Sequence, residues 1–306
     1  MERESTKGSH GVLAAAGSQD LVAVYFQAKS SYWKEVYQES TLDGVVYRDR
    51  MALTLRWIEE LRLPDGERVL DAGCGAGLTA VALARRGYEV DAIDAAQNML
   101  ELTRQLALEH GVQDQVSVQT GDAHQLPLSD NQFALVLALG LLPWMQEPGR
   151  AVREMARVLK PGGYLLVSAD NRWCLNHLLD PGLNQAFSLP RRAWHKIRRM
   201  LAGTANAAKR PPVPAAVRHS IGTVDAWIRA SGLAKIKGST LGFGPFTWLG
   251  RRPLTDATGI EMHAQLQALA DRNVFCFRLR GWHYLVLAQK PGGSGPLGQA
   301  QRPGNS

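Results

Sequence analysis

The sequence predicts a doubly wound α/β fold, and three stretches carry that prediction. Val69 and Leu70 close a buried strand that runs into Asp71-Ala72-Gly73-Cys74-Gly75-Ala76-Gly77. The glycines there permit a sharp turn and a close approach of backbone to a ligand. Leu78 to Arg86 follows with helix formers, Gly87 is a C-cap, and Tyr88 to Asp94 reads as a second strand ending in a carboxylate. Strand, glycine turn, helix, strand and acid make a nucleotide-binding half of such a fold. Further on, Phe133 to Leu139 is a near-continuous apolar run, as expected of a central parallel strand buried on both faces.

A chain of 306 residues can bury a full core, as one large domain or as one domain with an insertion. Hydrophobic content of 45% and charged content of 21% are those of an ordinary globule. The net charge of +7 favours anionic partners only weakly until the charge is located. Cys74, Cys174 and Cys276 share no C-x-x-C spacing, so neither a disulfide framework nor a metal site is indicated. Cys74 is read as a small residue of the turn rather than a reactive thiol. The apolar run Val12 to Ala16 is too short for a secretory signal, and no stretch approaches membrane-spanning length. A cytoplasmic protein is the expectation.

Residues 1–18 are polar and glycine-containing and read as a disordered tail. Residues 19–64 carry aromatics in short helices: Tyr25-Phe26, Tyr32-Trp33, Tyr37 and Tyr47. Tyr47-Arg48-Asp49-Arg50 opens the clearest of these helices, with Met51, Leu55, Ile58 and Leu61 as its buried stripe. Pro64-Asp65-Gly66 ends it. In the core, Ala96 to His110 is a helix with Met99, Leu102 and Leu106 on one face, and Val116 to Thr120 is a third strand leading to Gly121-Asp122-Ala123. Pro148 suits a first helical position, and Ala151, Val152, Met155, Val158 and Leu159 follow with helical periodicity. Lys160-Pro161-Gly162-Gly163 then turns into a fifth strand, Tyr164 to Ser168.

Residues 169–220 leave the repeating pattern and read as an insertion. Pro181 to Ser220 holds eight Lys or Arg and no Asp or Glu, densest at Arg191-Arg192-Ala193-Trp194-His195-Lys196-Ile197-Arg198-Arg199. A charge run of this kind is either a solvated helix or a partner surface. Thr223 to Ala230 is a helix, Ala234 to Leu241 and Trp282 to Ala288 are strands, and Gly259 to Arg272 between them is helical. Residues 291–306 read as a second disordered tail.

The glycine spacing selects the ligand. A dinucleotide site wants G-x-G-x-x-G, whereas here the glycines fall at 73, 75 and 77 and position 78 is Leu. Asp71 stands beside the turn, where a carboxylate suits an ammonium better than a pyrophosphate. The D-x-G-x-G-x-G pattern with its flanking strands resembles motif I of the class I S-adenosylmethionine-dependent methyltransferases. Arg157 to Gly163 matches the turn before strand five in that family, so the resemblance covers residues 69–168 without a gap. It implies a seven-stranded Rossmann-like sheet of order 3-2-1-4-5-7-6 with the last strand antiparallel. The transferase domain then spans 65–290, with 19–64 as a helical lid and 169–220 as the substrate cap.

The resemblance also implies a cofactor, S-adenosylmethionine, and a site for it. The methionyl ammonium falls to Asp71 and the Gly73 carbonyl, within the turn that includes Cys74 and Gly75. Its carboxylate falls to backbone N–H groups or an arginine such as Arg48. The ribose diol falls to Asp94, next to Ala95, which stands about 20 residues beyond the first glycine. The adenine amine falls to the Asp122-Ala123 loop, and Met99 packs on the ring. The S-methyl faces the end of strand four at Leu139. Asp94 read alone is also an ordinary helix N-cap, and Asp122 an ordinary turn former. From the lid, Trp33, Tyr37 or Arg48 reaches cofactor or substrate, unless those aromatics merely pack on the sheet.

The expected reaction is in-line methyl transfer to a small-molecule acceptor with an aromatic or lipidic body and an anionic group. Ala138-Leu139-Gly140-Leu141-Leu142-Pro143-Trp144 lacks the acid and paired prolines that methyltransferases of DNA base amines often carry here, so nucleic acid is not the expected acceptor. The alternatives are a nucleic-acid-binding methyltransferase using the basic segment, a non-catalytic nucleotide-binding module, and an NAD-dependent enzyme, which Leu78 disfavours. The basic insertion is also a candidate for peripheral membrane contact. His177, His195, His219 and Asp170 lie in or beside the cap, and none is singled out as a base.

Overall fold

The computed structural model describes residues 18–184, 214–249 and 251–292. Both expected tails lie outside them, except that Ser18 opens α1 (Ser18–Ala28) and residues 291–292 extend the chain beyond its last strand. Most of the basic insertion, including Arg191, Arg192, His195, Arg198 and Arg199, also lies outside the described residues.

Seven strands form one sheet: β1 (Arg68–Ala72), β2 (Glu89–Asp94), β3 (Val116–Thr120), β4 (Phe133–Ala138), β5 (Leu159–Asp170), β6 (Ala234–Leu241) and β7 (His283–Gln289). Their order is β3-β2-β1-β4-β5-β7-β6, as the sequence predicts. β1 to β5 run parallel, and β7 is antiparallel to both β5 and β6. Strand five begins five residues earlier than expected. Leu159 already pairs with Phe133, and the proline-glycine turn is an irregularity inside the strand, with Gly162 at φ +82°.

The two faces of β4 belong to two cores. Phe133, Val136 and Ala138 pack with Leu70, Met155, Val224 and Ile228 on one side. Leu135 and Leu137 pack with Val69, Trp57, Ile58, Leu83 and Leu100 on the other. Helices α6 (Pro148–Val158) and α8 (Ile221–Ala230) cover the first face. Helices α3 (Leu42–Leu61), α4 (Leu78–Ala84) and α5 (Gln97–Glu109) cover the second. Polar caps set several starts: Thr41 accepts from Gly44 N in α3, Ser220 from Thr223 N in α8, and Thr255 from Thr258 N in α9 (Asp256–Asp271).

Helix α3 departs from expectation in two ways. It starts five residues before Tyr47, because Thr41 caps it. Its buried positions are Leu42, Gly44, Val46, Tyr47, Arg50, Thr54, Trp57 and Ile58, while Met51, Leu55 and Leu61 are only partly buried. The inward face therefore carries an arginine. Short helix α2 (Ser30–Glu35) precedes it, and α7 (Leu175–Leu179), α10 (Phe275–Arg278) and a 3-10 turn at Leu142–Trp144 are the remaining helical elements among the described residues. Among the described residues, no helix is long and apolar enough to cross a membrane.

Phe133 is fully buried at the start of the central strand. Phe133→Ala should cost about 3–5 kcal/mol, measured by urea unfolding, because the parallel strands around it cannot collapse into the gap.

Candidate functional site

The carboxyl ends of parallel strands are where an open α/β sheet binds ligands, and the cleft of this protein lies there. It encloses about 1330 Å³ including the open space at its mouth. All ten residues that the sequence assigns to the cofactor line it: Asp71, Gly73, Cys74, Gly75, Asp94, Ala95, Met99, Asp122, Ala123 and Leu139.

The glycine turn is tied to the neighbouring strand by its own backbone. Gly73 N and Cys74 N both donate to Ile93 O, at 2.7 and 3.0 Å. Gly73 has φ +73°, and a Cβ there would lie 2.9 Å from the Leu141 side chain. Gly75 has φ +54°, yet a Cβ there would meet nothing within 4 Å, so its outer face is open. Thr103 of α5 donates to Gly75 O at 3.0 Å and anchors the turn from outside, a contact that sequence reading missed.

Asp94 grips the turn from the end of β2. One carboxylate oxygen accepts from Gly75 N at 3.0 Å and the other from Ala96 N at 2.9 Å. Burial raises its pKa, and those backbone bonds partly oppose the rise. The N-cap of α5 is Ala96, so Asp94 is not the helix cap; its bond to Ala96 N holds the chain two residues on, where α5 begins.

Asp71 is 2% exposed, and its Oδ2 is buried without a partner. Burial, then the nearby Asp94 charge, raises its pKa from 3.8 to about 7 against a backbone bond from Ala80. Burial and the same two acids push the Cys74 thiol well up, which holds it protonated and matches its reading as a small turn residue. Asp122 is oriented by a residue the sequence did not flag. His124 Nδ1 meets Asp122 Oδ1 at 2.8 Å, while His124 Nε2 accepts from Glu147 N at 3.3 Å. The proton therefore sits on Nδ1, and only one Asp122 oxygen is engaged by it.

The lid aromatics reach this cleft. Tyr25 stacks on Trp144 at 5.5 Å, and Phe26 meets both Trp144 (5.0 Å) and Trp33 (5.7 Å). Trp33 meets Tyr47 at 5.7 Å, and Tyr47 meets His283 at 5.8 Å. Trp33 and Tyr37 line the cleft. Arg48 does not. Its guanidinium donates to the Tyr37 and Glu39 carbonyls at 2.9 and 2.8 Å, where it secures the loop before α3. The arginine in the cleft is Arg50, 5% exposed, which donates to Tyr37 Oη at 3.0 Å and lies over the Tyr47 ring. Its signal in the sequence was its place between Val46 and Thr54 on the inward face of α3.

Asp170 and His283 close the cleft beside Leu139, Gly140 and Leu141. Asp170 is among the cap-side candidates of the sequence, whereas His283 is not. His177 lines a separate cavity, and His219 packs on Trp227 away from the cleft. The pairing of Asp170 with His283 is a register contact between β5 and β7, so no local pattern announces it.

Residues 70–167 match the family described as methyltransferase domain. A ubiquinone biosynthesis O-methyltransferase of Xylella fastidiosa is 33% identical over 202 residues, which are 65% of this chain and 74% of that protein. The chain belongs to the class I S-adenosylmethionine-dependent methyltransferases. Methyltransferase GfsG of Streptomyces halstedii is 38% identical over 52% of this chain and 61% of its own length. A ubiquinone biosynthesis O-methyltransferase of Paracidovorax citrulli is 40% identical over 39% of this chain and 50% of its own. This methyltransferase chain thus spans only about half to three-fifths of those two relatives. Magnesium protoporphyrin IX methyltransferase of Synechocystis, solved with S-adenosylhomocysteine, superposes with TM-score 0.59 at 16% identity. That superposition covers 90% of this chain and all of the other, and it speaks for the fold alone.

The state of Asp71 makes a prediction about the protein without ligand. From about pH 4 to pH 7 the unfolded chain has lost this proton and the folded chain keeps it, so stability should fall as pH rises through that window. Asp71→Asn should flatten this slope in thermal melts. An unchanged slope would mean that Asp71 is already ionised in the folded protein.

Proposed function

We propose that this chain transfers the methyl group of S-adenosylmethionine to a hydroxyl of a small acceptor with an aromatic or lipidic body and an anionic group. One observation carries the reading. The cleft runs without a break from the glycine turn, Asp94 and Asp122 into a chamber walled by Phe26, Trp33, Tyr47 and Trp144. Oxygen as the acceptor atom is supported by relatives named O-methyltransferases.

The residues fit the cofactor. Asp71 Oδ2 is a buried acceptor without a partner, suited to an ammonium, and Gly75 leaves room where any side chain would intrude. Asp94 would hold the ribose diol, Asp122 the adenine amine, and Met99 and Ala123 the ring. Arg50 takes over the role that the sequence suggests for Arg48. A buried guanidinium that donates to the Tyr37 hydroxyl from one nitrogen keeps further N–H groups for the methionyl carboxylate. Bound S-adenosylmethionine supplies a methyl already activated by a sulfonium sulfur, so the protein needs mainly to align the acceptor for in-line displacement and exclude water. Tyr25, Phe26, Trp33 and Trp144 do the excluding from α1, α2 and the turn after β4.

The same reading takes residues 65–290 as the transferase domain, 19–64 as its lid and 169–220 as a cap whose basic residues meet the acceptor's anionic group. Three thiols without a partner cysteine suit a cytoplasmic site of action. A nucleic-acid acceptor is less well served, because a flipped base would have to pass the aromatic wall.

Calorimetry with S-adenosylmethionine, S-adenosylhomocysteine and NAD tests the cofactor. The first two should bind and NAD should not. Asp94→Ala should weaken S-adenosylhomocysteine at least about 100-fold, since it loses charge-assisted bonds to the ligand and its hold on the turn. Arg50→Met should weaken the same ligand about 10- to 100-fold, while Arg48→Met should change it less than about threefold. Equal effects of the two arginine variants would refute the assignment to Arg50. Methylation assays on 3,4-dihydroxybenzoate and longer-chain phenols test the acceptor class.

A further inference from the structure

We infer that His283 is the general base that takes the proton of the acceptor hydroxyl, and that Asp170 positions it. The inference rests on the O-methyl reading above and adds a residue to it. His283 is the first residue of β7 and Asp170 the last of β5, and the antiparallel register sets them opposite one another. His283 Nδ1 lies 3.2 Å from Asp170 Oδ1. His283 is 3% exposed, and its Nε2 is buried with no partner in the protein. Both residues line the same cleft as Leu139 and Gly140, which follow β4.

A buried nitrogen left unpaired is costly, and of the two histidine nitrogens in that state among the described residues, His219 Nε2 and His283 Nε2, only the second belongs to a residue that lines the cleft. The alternatives among the described histidines are occupied or elsewhere. His124 uses both nitrogens. His263 also uses both, accepting from Phe243 N and meeting Asp49. His110, His177 and His219 lie off the cleft.

The surroundings assign the tautomer. Burial works to raise the Asp170 pKa, but the His283 bond and the charges of His283, Arg218 and Arg50 bring it below the usual value. An ionised Asp170 accepts from Nδ1–H, which leaves the lone pair on Nε2. Burial pushes the imidazole pKa down, Asp170 and Asp43 oppose this, and Arg50 adds to it. The other groups facing the ring are Tyr47 of α3 at 5.8 Å and Trp282, stacked at 5.0 Å. The ring is therefore neutral and basic at neutral pH, and imidazolium once protonated is stabilised by Asp170. In the proposed step the acceptor O–H bond breaks, an Nε2–H bond forms, and oxygen keeps the electron pair as the nucleophile. The proton leaves to water after the product departs.

Two measurements test this separately from the substrate reading. Nitrogen-15 histidine spectra of the full chain with S-adenosylhomocysteine should show His283 as the neutral Nδ1–H form at pH 7.5. H283Q identifies the resonance by its loss, and D170N by its shift if H283Q does not fold. An Nε2–H or imidazolium signal would overturn the inference whatever the substrate. With 3,4-dihydroxybenzoate as acceptor, H283Q should lower kcat at least about 100-fold while the KM for S-adenosylmethionine stays within about twofold. The wild-type acid limb should give way to a rate that follows ionisation of the phenol itself. Wild-type kcat and pH profile in H283Q would also overturn it. Failure of wild-type enzyme to methylate any phenol would remove the substrate reading, and the spectra would then decide the state of His283 by themselves.

Discussion

The two bonds from Gly73 N and Cys74 N to Ile93 O hold the site together. They join the end of β1 to the end of β2, and they require a backbone that turns at φ +73°. Only with the turn seated against β2 can Asp94 reach Gly75 N and Ala96 N together. That double contact fixes the start of α5, and α5 returns the support through Thr103 to Gly75 O. A local glycine conformation therefore sets a helix position, and the helix in turn braces the glycines.

Around this brace the cleft gathers polar groups that would be expensive in a closed core. Asp71, Arg50, Asp170 and His283 are all buried or nearly so, and Asp71 and His283 each keep an atom without a partner. Natural cores rarely leave such atoms unless a ligand or water completes them. These two atoms fall at two places, one beside the glycine turn and one at the strand-four exit. Trp33 Nε1, in the aromatic wall, is a third unpartnered atom among the cleft residues.

Fold and reaction are separate inferences, because one sheet architecture hosts many chemistries and does not by itself specify methyl transfer. What argues for the reaction is the site: the acidic strand ends, the turn and the aromatic chamber.

The parallel core and the glycine-turn half of the cleft were legible in the chain because their signals are local. Asp71 and Asp94 sit at the ends of β1 and β2, and Gly73 and Asp122 follow β1 and β3 within two residues, so finding the strand finds the residue. The seven-strand order came through the family resemblance rather than through periodicity. The chamber half was not legible. Arg50 faces inward only because α3 packs its polar position against the cleft, and the sequence pattern suggested Arg48, which instead binds two carbonyls. His283 meets Asp170 across more than a hundred residues through an antiparallel register, and His124 aligns Asp122 through a turn. Sequence alone determined which strand ends bring acids to the cleft, because strand and turn chemistry is short-range. Tertiary structure decided which arginine and which histidine join them, because side-chain direction and strand register are settled by packing.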